Sequence, residues 1–432
     1  MSDRDGGASA LVLEPPPISA TLAANQLARE RAARGEPVVH LGFGDAGLPL
    51  PRALVDALVE AAADARYGPV GGSPHLRELV AGFLARRGVS ATAETVVVTP
   101  GSKAGIYAVA LALGGDVVVT TPSWVSYAGH ARLRERAVVR VPTPADVGGV
   151  PDPQLLREAV RAARARGSRP RVLFITNPDN PTGTLAGREL LGEVLATARE
   201  LDLFVVADEI YQDLAHDPRQ FVSAAQLDPD NVFATGGLSK SLALGGWRVG
   251  YVRMPQTPLG RTVAAAAMAI GSELWSCLPP PIAAAAEVGF AEPPEIVAHV
   301  ADSRALHTQV VRGAHELVLA AGASCRPPGG AFYVYPDFSA LAEPLAANGI
   351  ASGPQLAAAL LERFGVVVLG AAAFGESEDA LRFRVATSML YGATDAERWE
   401  TLDAARRGEA LQVPRIAAAL GTFSDALKGL IA

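Results

Sequence analysis

The chain has 432 residues, of which 49% are hydrophobic and 19% are charged. This length predicts two or three domains, and the composition is typical of a globular protein rather than a disordered one. The 38 basic and 45 acidic residues give a net charge of −7, which disfavours nucleic acid or an anionic membrane as the main partner. Cys277 and Cys325 do not have metal-binding spacing, so we expect no metal site. No secretory signal or membrane span is evident, and we expect a cytoplasmic protein.

The order of patterns along the chain predicts an α/β fold. Residues 1–17 contain little to bury and are expected to form a disordered tail, followed by a charged helix from Leu22 to about Arg34. Short runs of β-branched residues then alternate with helical stretches, which predicts a largely parallel sheet. The predicted strands are Val96–Val98, Val117–Val119, Val172–Ile175, Phe204–Val206 and Val232–Ala234. Helical sequence dominates beyond Pro279, which predicts a second domain from about residue 298.

Three segments with turn-forming or acidic residues directly follow predicted strands. Ligands of α/β sheets bind at these ends of the strands. The stretch Thr99–Lys103 opens a helix, and the free N–H groups of its first turn are suited to a phosphate, although such a turn is also ordinary structure. The stretch Asn177–Gly183 contains two Asn-Pro steps and predicts a sharply turned loop. Asp208 directly follows an apolar strand, so it either caps a helix or is buried with a cationic partner.

Lysine is scarce, so the sequence around each lysine is informative. Only Lys103, Lys240 and Lys428 occur, and arginine cannot replace their amine chemistry. Lys240 lies in a turn of small residues, and Arg248 follows it by eight positions. A phosphate site, a buried acid and an amine together require a ligand with a phosphate, a protonatable ring nitrogen and an aldehyde. Pyridoxal 5′-phosphate (PLP) has all three.

The strings NPDNPTG, DEIY, SKS…GWRVGY and PPGGAFY occur in an order and spacing that resemble the class I/II aminotransferases of PLP fold type I, which are aspartate aminotransferase-like. The resemblance covers about residues 18–400. It implies an α/β fold whose large domain (residues 49–297) contains a mostly parallel seven-stranded sheet between helices. It also implies a smaller α+β domain (residues 18–48 and 298–432). The chain departs from the family after Ser388, because its C-terminal helices extend beyond the family's usual single closing helix.

The resemblance also implies roles for individual residues. Lys240 would form the Schiff base with PLP and move the substrate proton, Asp208 would pair with the ring nitrogen, and Tyr211 would hydrogen-bond the ring oxygen. Tyr67 would reach the phosphate of the neighbouring subunit, which implies a homodimer with shared active sites. The remaining cofactor contacts would come from Gly101, Ser102, Lys103, Trp124, Asn180, Ser239 and Arg248. The substrate carboxylate would bind Gly44, Asn180 and Arg382.

Three positions depart from the family pattern. The stretch Gly44–Gly47 replaces the usual Gly-Glu-Pro-Asp, Gly237 stands where many relatives have a phosphate-binding serine, and Arg384 adds a charge near the expected carboxylate site. We expect an aminotransferase acting between an L-amino acid and a 2-oxo acid. The alternative is a PLP-dependent lyase, cyclase or β/γ-replacement enzyme of specialised biosynthesis. A non-catalytic effector-binding domain is disfavoured, because Lys240 is present and no basic DNA-binding segment precedes residue 18. The sequence does not identify the amino acid.

Overall fold

A computed structural model describes residues 19–431, so the predicted tail at residues 1–17 lies outside the described part of the chain. The strands are β1 (Val39–His40), β2 (Val96–Pro100), β3 (Asp116–Thr121), β4 (Val138–Pro142), β5 (Pro170–Thr176), β6 (Phe204–Asp208), β7 (Val232–Gly237), β8 (Val249–Arg253), β9 (Tyr333–Val334), β10 (Val366–Val367), β11 (Leu369–Gly370) and β12 (Phe383–Ala386).

The helices begin with α1 (Ala20–Ala33), which covers the predicted N-terminal helix. The others are α2 (Arg52–Glu60), α3 (Pro74–Arg86), α4 (Ser102–Leu113), α5 (Val125–Leu133), α6 (Pro153–Ala165), α7 (Arg188–Glu200), α8 (Ala224–Leu227), α9 (Pro258–Leu274), α10 (Pro280–Ala291), α11 (Pro294–Ala320), α12 (Ala342–Ala347), α13 (Gly353–Phe364), α14 (Asp395–Arg406) and α15 (Pro414–Ile431). In the described residues, no helix combines the length and apolar character that crossing a membrane requires.

The central sheet has seven strands in the order β2-β8-β7-β6-β5-β3-β4. Strand β8 is antiparallel to both of its neighbours, and the other six strands run in one direction. The valine-rich strands are buried because helices cover both faces of the sheet, as parallel sheets require. The predicted fold class, α/β with a mostly parallel seven-stranded sheet and a smaller sheet-containing part, is confirmed.

Two large hydrophobic cores divide the chain. The first contains residues from Leu54 to Ile296 on one side of the central sheet. The second contains residues 41–48 together with residues 306–430, including the last two helices. The long helix α11 contributes to both cores, so the predicted domain boundary at residues 297 and 298 falls inside a continuous helix. The domain division itself stays a prediction.

The register of the sheet brings together the segments that follow the predicted strands. Asp208, at the carboxyl end of β6, pairs with Thr176 on β5 and Thr235 on β7. The loops that follow these three strands therefore meet at one edge of the sheet. Pro100 at the end of β2 pairs with Val249 at the start of β8, which places the beginning of α4 beside Arg248.

Candidate active site

A cavity of about 570 Å³ lies at this edge of the sheet. Its wall brings together residues that are far apart in sequence and that the sequence singled out: Gly44, Ser102, Lys103, Trp124, Asn180, Asp208, Tyr211, Ser239, Lys240 and Arg248. Tyr67 and Arg382 do not line it, and Gly101 lies directly behind it against Arg248. The cavity therefore contains most of the predicted site within one chain.

One end of the cavity is built to hold a dianion. Helix α4 begins at Ser102, and the preceding Gly101 has a φ of 81° and gives no side-chain cap, so the first-turn N–H groups stay available. A Cβ on Gly101 would overlap the guanidinium of Arg248, which explains the glycine. Arg248 donates from Nη1 to the carbonyl of Gly245 at 2.9 Å and has no ion-pair partner within residues 19–431. A helix N-terminus and an uncompensated guanidinium fit a phosphate group.

At the opposite end lies a buried carboxyl group. Asp208 is 4% exposed and accepts hydrogen bonds from the hydroxyl of Tyr127 at 3.0 Å and from the N–H of Ile210 at 3.3 Å. Burial raises the pKa of Asp208 to about 6, against the opposing effect of these hydrogen bonds. Such a carboxyl needs a cationic partner to ionise fully, and a protonated ring nitrogen would supply one. The sequence reasoning missed Tyr127, whose hydroxyl also lies 2.7 Å from Oγ1 of Thr176.

Lys240 lies between these two ends. Its Nζ donates a hydrogen bond of 2.5 Å to the carbonyl oxygen of Gly44. Burial lowers the pKa of Lys240 to about 8, and the nearby guanidinium of Arg384 lowers it further, whereas the carboxylates of Asp45 and Asp208 raise it. An amine with this pKa is partly neutral near neutral pH, so it can act as a nucleophile or a base.

The arginine expected to bind the substrate carboxylate, Arg382, lies outside the main cavity. Arg382 pairs with Asp337 at 2.7 Å and Glu376 at 2.6 Å and lines a different, smaller cavity, so its charge is already compensated. Arg384 instead lines the main cavity and is 1% exposed. Its guanidinium donates to Oδ1 of Asn180 at 2.9 Å and to the carbonyl of Gly42 at 2.8 Å.

Arg384 carries a buried charge without a buried counter-charge. Its Nε has no hydrogen-bond partner among residues 19–431, and no carboxylate there lies within ion-pairing distance. The rings of Tyr333 and Phe374 lie 4.8 Å and 5.2 Å from the guanidinium carbon. Because an isolated buried charge is costly, this position fits an anionic ligand.

Two tyrosines complete the wall beside Arg384. The hydroxyls of Tyr211 and Tyr333 lie 2.7 Å apart, and the side chains are fully buried or nearly so. A Cβ on Gly44 would overlap the Tyr333 hydroxyl, so glycine is needed for the chain to pass this close. The PPGGAFY string marked the segment of Tyr333, but the sequence reasoning gave that tyrosine no role.

The N-terminal helix forms the outer wall, which the sequence did not predict. Ser19, Thr21, Leu22, Asn25 and Arg29 all line the cavity. Trp124 also lines the cavity, and its ring lies 5.1 Å from Nζ of Lys103 and is edge-on to Tyr127 at 5.2 Å. Tyr67 is 88% exposed on the surface, outside the cavity.

The geometry agrees with a comparison against known families. The sequence profile of the family "Aminotransferase class I and II" matches residues 36–390, which is most of the chain. The chain belongs to this family. It is an enzyme of the aminotransferase type, and its family uses PLP, so the predicted recognition, enzyme class and cofactor are confirmed.

Individual relatives give the same result. The chain is 32% identical to the aspartate/prephenate aminotransferase of Thermus thermophilus, over 86% of this chain and 92% of that protein. It is also 32% identical to the aspartate aminotransferase of Streptomyces avermitilis, over 83% and 87%. The solved structure of the Thermus thermophilus aspartate aminotransferase with maleate superposes with a TM-score of 0.78 at 28% identity, covering 95% of this chain and 97% of that one. An aminotransferase from Mycobacterium tuberculosis has the same fold, with a TM-score of 0.79 at 23% identity over 99% and 100% of the two chains.

The residues of the aminotransferase fit the cofactor. The α4 N-terminus and Arg248 match its phosphate, and the buried carboxyl of Asp208 matches its ring nitrogen. Trp124 provides an aromatic surface between these two ends, and Lys240 provides the amine that the aldehyde requires.

Proposed function

We propose that this aminotransferase moves the amino group of a dicarboxylic L-amino acid, with aspartate as the first candidate, to a 2-oxo acid. One observation carries the proposal. The amine of Lys240, the buried carboxyl of Asp208 and the uncompensated guanidinium of Arg384 converge on one cavity. That set supplies a base, a ring-nitrogen partner and a carboxylate site, which are the groups that transamination needs.

Arg384 and Asn180 would bind the α-carboxylate of the substrate. The side chain of Asn180 already orients one edge of the guanidinium, and Nε remains available to donate. A bidentate pair would fix the direction of the substrate and neutralise the buried charge of Arg384. This assignment replaces Arg382, whose guanidinium Asp337 and Glu376 already hold. The backbone of Gly44 would lie close to the same carboxylate.

Lys240 would carry the proton between the reacting atoms. When bound, PLP supplies the electron sink for the charge that develops at Cα of the substrate. Lys240 would anchor the cofactor. Once free, its amine would take the proton from Cα of the substrate and deliver it to C4′ of the cofactor. Asp208, oriented by Tyr127, would keep the ring nitrogen protonated, and Tyr211 with Asn180 would hydrogen-bond the ring oxygen. Ser102, Lys103 and Gly101, by their backbone, with Ser239 and Arg248, would hold the phosphate.

Two further cations support an acidic side chain in the substrate. Lys103 and Arg29 line the cavity, and neither has an ion-pair partner in residues 19–431. Neither charge is needed for the α-carboxylate, which Arg384 can bind. The relatives in Thermus thermophilus and Streptomyces avermitilis carry the names of aspartate-using enzymes. A second carboxylate would pair with one or both of these cations.

The same proposal includes a cytoplasmic homodimer. Tyr67 is an aromatic side chain that is 88% exposed and lies away from its own chain's cavity. Contact with the phosphate of a second subunit would bury it, and the active sites would then be shared.

The half-reactions test the reaction and the substrate class together. Excess L-aspartate should convert the bound cofactor to its amine form, and 2-oxoglutarate should reverse the change in absorbance. Lys103→Gln should lower kcat/KM for aspartate by about 10-fold or more, the value of one charged hydrogen bond, with little change for alanine. Lys428→Gln is the matched control, because Lys428 is exposed on α15. Product release from an amino acid with a β or γ leaving group, without the amine form ever appearing, would favour the lyase or replacement reaction instead.

A further inference from the structure

The active-site cavity contains an acidic residue that the proposed reaction does not use. Of the described residues that line the cavity, two carry carboxylates: Asp208 at the ring-nitrogen end, and Asp45. Asp45 directly follows Gly44, whose carbonyl oxygen accepts the hydrogen bond from Nζ of Lys240. The cavity that contains the reacting amine therefore also contains a carboxylate, on the residue that follows the amine's hydrogen-bond partner.

The backbone around Asp45 is fixed on two sides. Its carbonyl oxygen accepts a hydrogen bond from Oγ of Ser388, and the next turn depends on Gly47 at a φ of 65°. Its Oδ1 accepts a hydrogen bond of 2.9 Å from the N–H of Ala46. Within residues 19–431 no cation, Lys240 included, lies within 4.0 Å of the Asp45 carboxylate, so its charge is not committed to a salt bridge and acts on Lys240 across the cavity.

The charges around Lys240 are otherwise mostly positive. The charged and titratable groups whose charge acts on it come from five separate parts of the fold: Asp45 after β1, Asp208 at the end of β6, Arg248 before β8, His307 on α11 and Arg384 on β12. Burial lowers the pKa of His307 to about 3, so this imidazole is neutral at working pH. Two guanidiniums therefore act against a proton on Lys240, and among the carboxylates Asp45 has the larger opposing effect.

We propose that Asp45 is a positioning residue that holds the proton on the nitrogen of Lys240 and so sets the pH range over which the loaded enzyme is charged at that atom. The inference rests on the proposed function, because it takes Lys240 as the residue that carries the cofactor. Opposite charge stabilises the protonated nitrogen, whereas Arg248 and Arg384 destabilise it. Among the described residues that line the cavity, Asp45 is thus the one carboxylate besides Asp208 that opposes these two guanidiniums.

A purely structural role for Asp45 makes a different prediction. The bond from Ala46 N–H to Oδ1 is a local side-chain-to-backbone contact that asparagine and serine can also accept. Asp45→Asn and Asp45→Ser therefore retain the turn and remove the charge, whereas Asp45→Glu retains the charge. If the turn alone matters, Asn and Ser should behave like the native residue.

The absorbance of the cofactor-loaded enzyme as a function of pH provides the test, since the lysine-linked cofactor absorbs differently with and without its proton. Asp45→Asn and Asp45→Ser should each lower the midpoint of this titration by about one pH unit, and Asp45→Glu should stay closer to the native value. Asp56→Asn is the matched control, because Asp56 is exposed and pairs with Arg52 on α2. Either neutral variant alone suffices if the other fails to fold.

Two results would overturn the inference in distinguishable ways. If the midpoint moves by less than about 0.3 pH unit in the neutral variants, Asp45 has only a structural role in the turn, and the proposed function stands. A native enzyme whose cofactor absorbance does not titrate and is unchanged in Lys240→Ala would remove the proposed function, and the Asp45 inference with it.

Discussion

Replacing Arg384 by glutamine tests the proposed carboxylate site. In the structure this guanidinium is buried, donates to Asn180 and the Gly42 carbonyl, and retains an unpartnered Nε. A substrate carboxylate would accept about two charge-assisted hydrogen bonds of about 1.5–3 kcal/mol each. Losing about 3–6 kcal/mol corresponds to a drop in kcat/KM of about 10²–10⁴-fold.

The same substitution should not destabilise the unliganded fold. Burial lowers the pKa of Arg384, which means that the folded, unliganded protein disfavours the charge. We therefore expect Arg384→Gln to leave the free energy of unfolding unchanged or higher. Arg382→Gln is the matched control. It breaks the pairs with Asp337 and Glu376, at a side chain 37% exposed, so it should lose about 1 kcal/mol or less of stability.

Steady-state kinetics with L-aspartate and denaturant unfolding of the unliganded proteins measure the two effects. The proposed assignment of the carboxylate site to Arg384 predicts a large kinetic defect with intact stability for Arg384→Gln. It predicts near-native kinetics, within about threefold, for Arg382→Gln. The reverse pattern, with the kinetic defect at Arg382, would show that Arg382 binds the substrate carboxylate, as the sequence predicts.

Three further variants probe the ring-nitrogen end, a buried acid behind it and the subunit contact. Asp208→Asn should slow the half-reaction by on the order of 10³-fold, because an amide does not keep the ring nitrogen protonated; near-native stopped-flow rates would mean that another group holds it. Burial raises the pKa of Glu209 to about 7. Its folded form therefore binds the proton more tightly than the unfolded chain, and the free energy of unfolding should fall as pH rises from about 4.5 to 7. Glu209→Gln should remove up to about 3 kcal/mol of that loss at pH 8, and an identical pH slope in both unliganded proteins would contradict the assignment. Sedimentation of the cofactor-loaded enzyme should give a dimer. Tyr67→Phe should weaken cofactor retention without dissociating the dimer, and an active monomer would exclude the shared site.

Local patterns were enough to predict most of the sheet and the cofactor end of the site. Runs of β-branched residues mark β2, β3, β5, β6 and β7, since fully buried strands need continuous apolar sequence. The residues after those strands converge because parallel strands share a carboxyl edge. Strand β8 was not predicted as a strand, and neither was β4. Strand β4 lies at the edge of the sheet, and its short Val-Val-Arg-Val pattern is partly exposed.

Long-range contacts account for what the sequence could not predict. Simple strand alternation would place Arg382 and Arg384 on one face. In the structure Arg382 precedes β12 and is captured by Asp337 and Glu376, which leaves Arg384 to enter the cavity. Tyr127 contacts Asp208 across 81 residues of sequence. The polar residues of α1 that face the cavity are visible only once the helix is docked.

Lys240 is the lysine proposed to carry the cofactor, and chemical labelling identifies the linked lysine. The chain has three lysines, Lys103, Lys240 and Lys428, so the outcome is unambiguous. Borohydride reduction of the cofactor-loaded protein, followed by digestion and mass spectrometry, should place the cofactor mass on the peptide that contains Lys240. Lys240→Ala should retain none. Label on Lys103 or Lys428 in the native protein, or undiminished label in Lys240→Ala, would contradict the account.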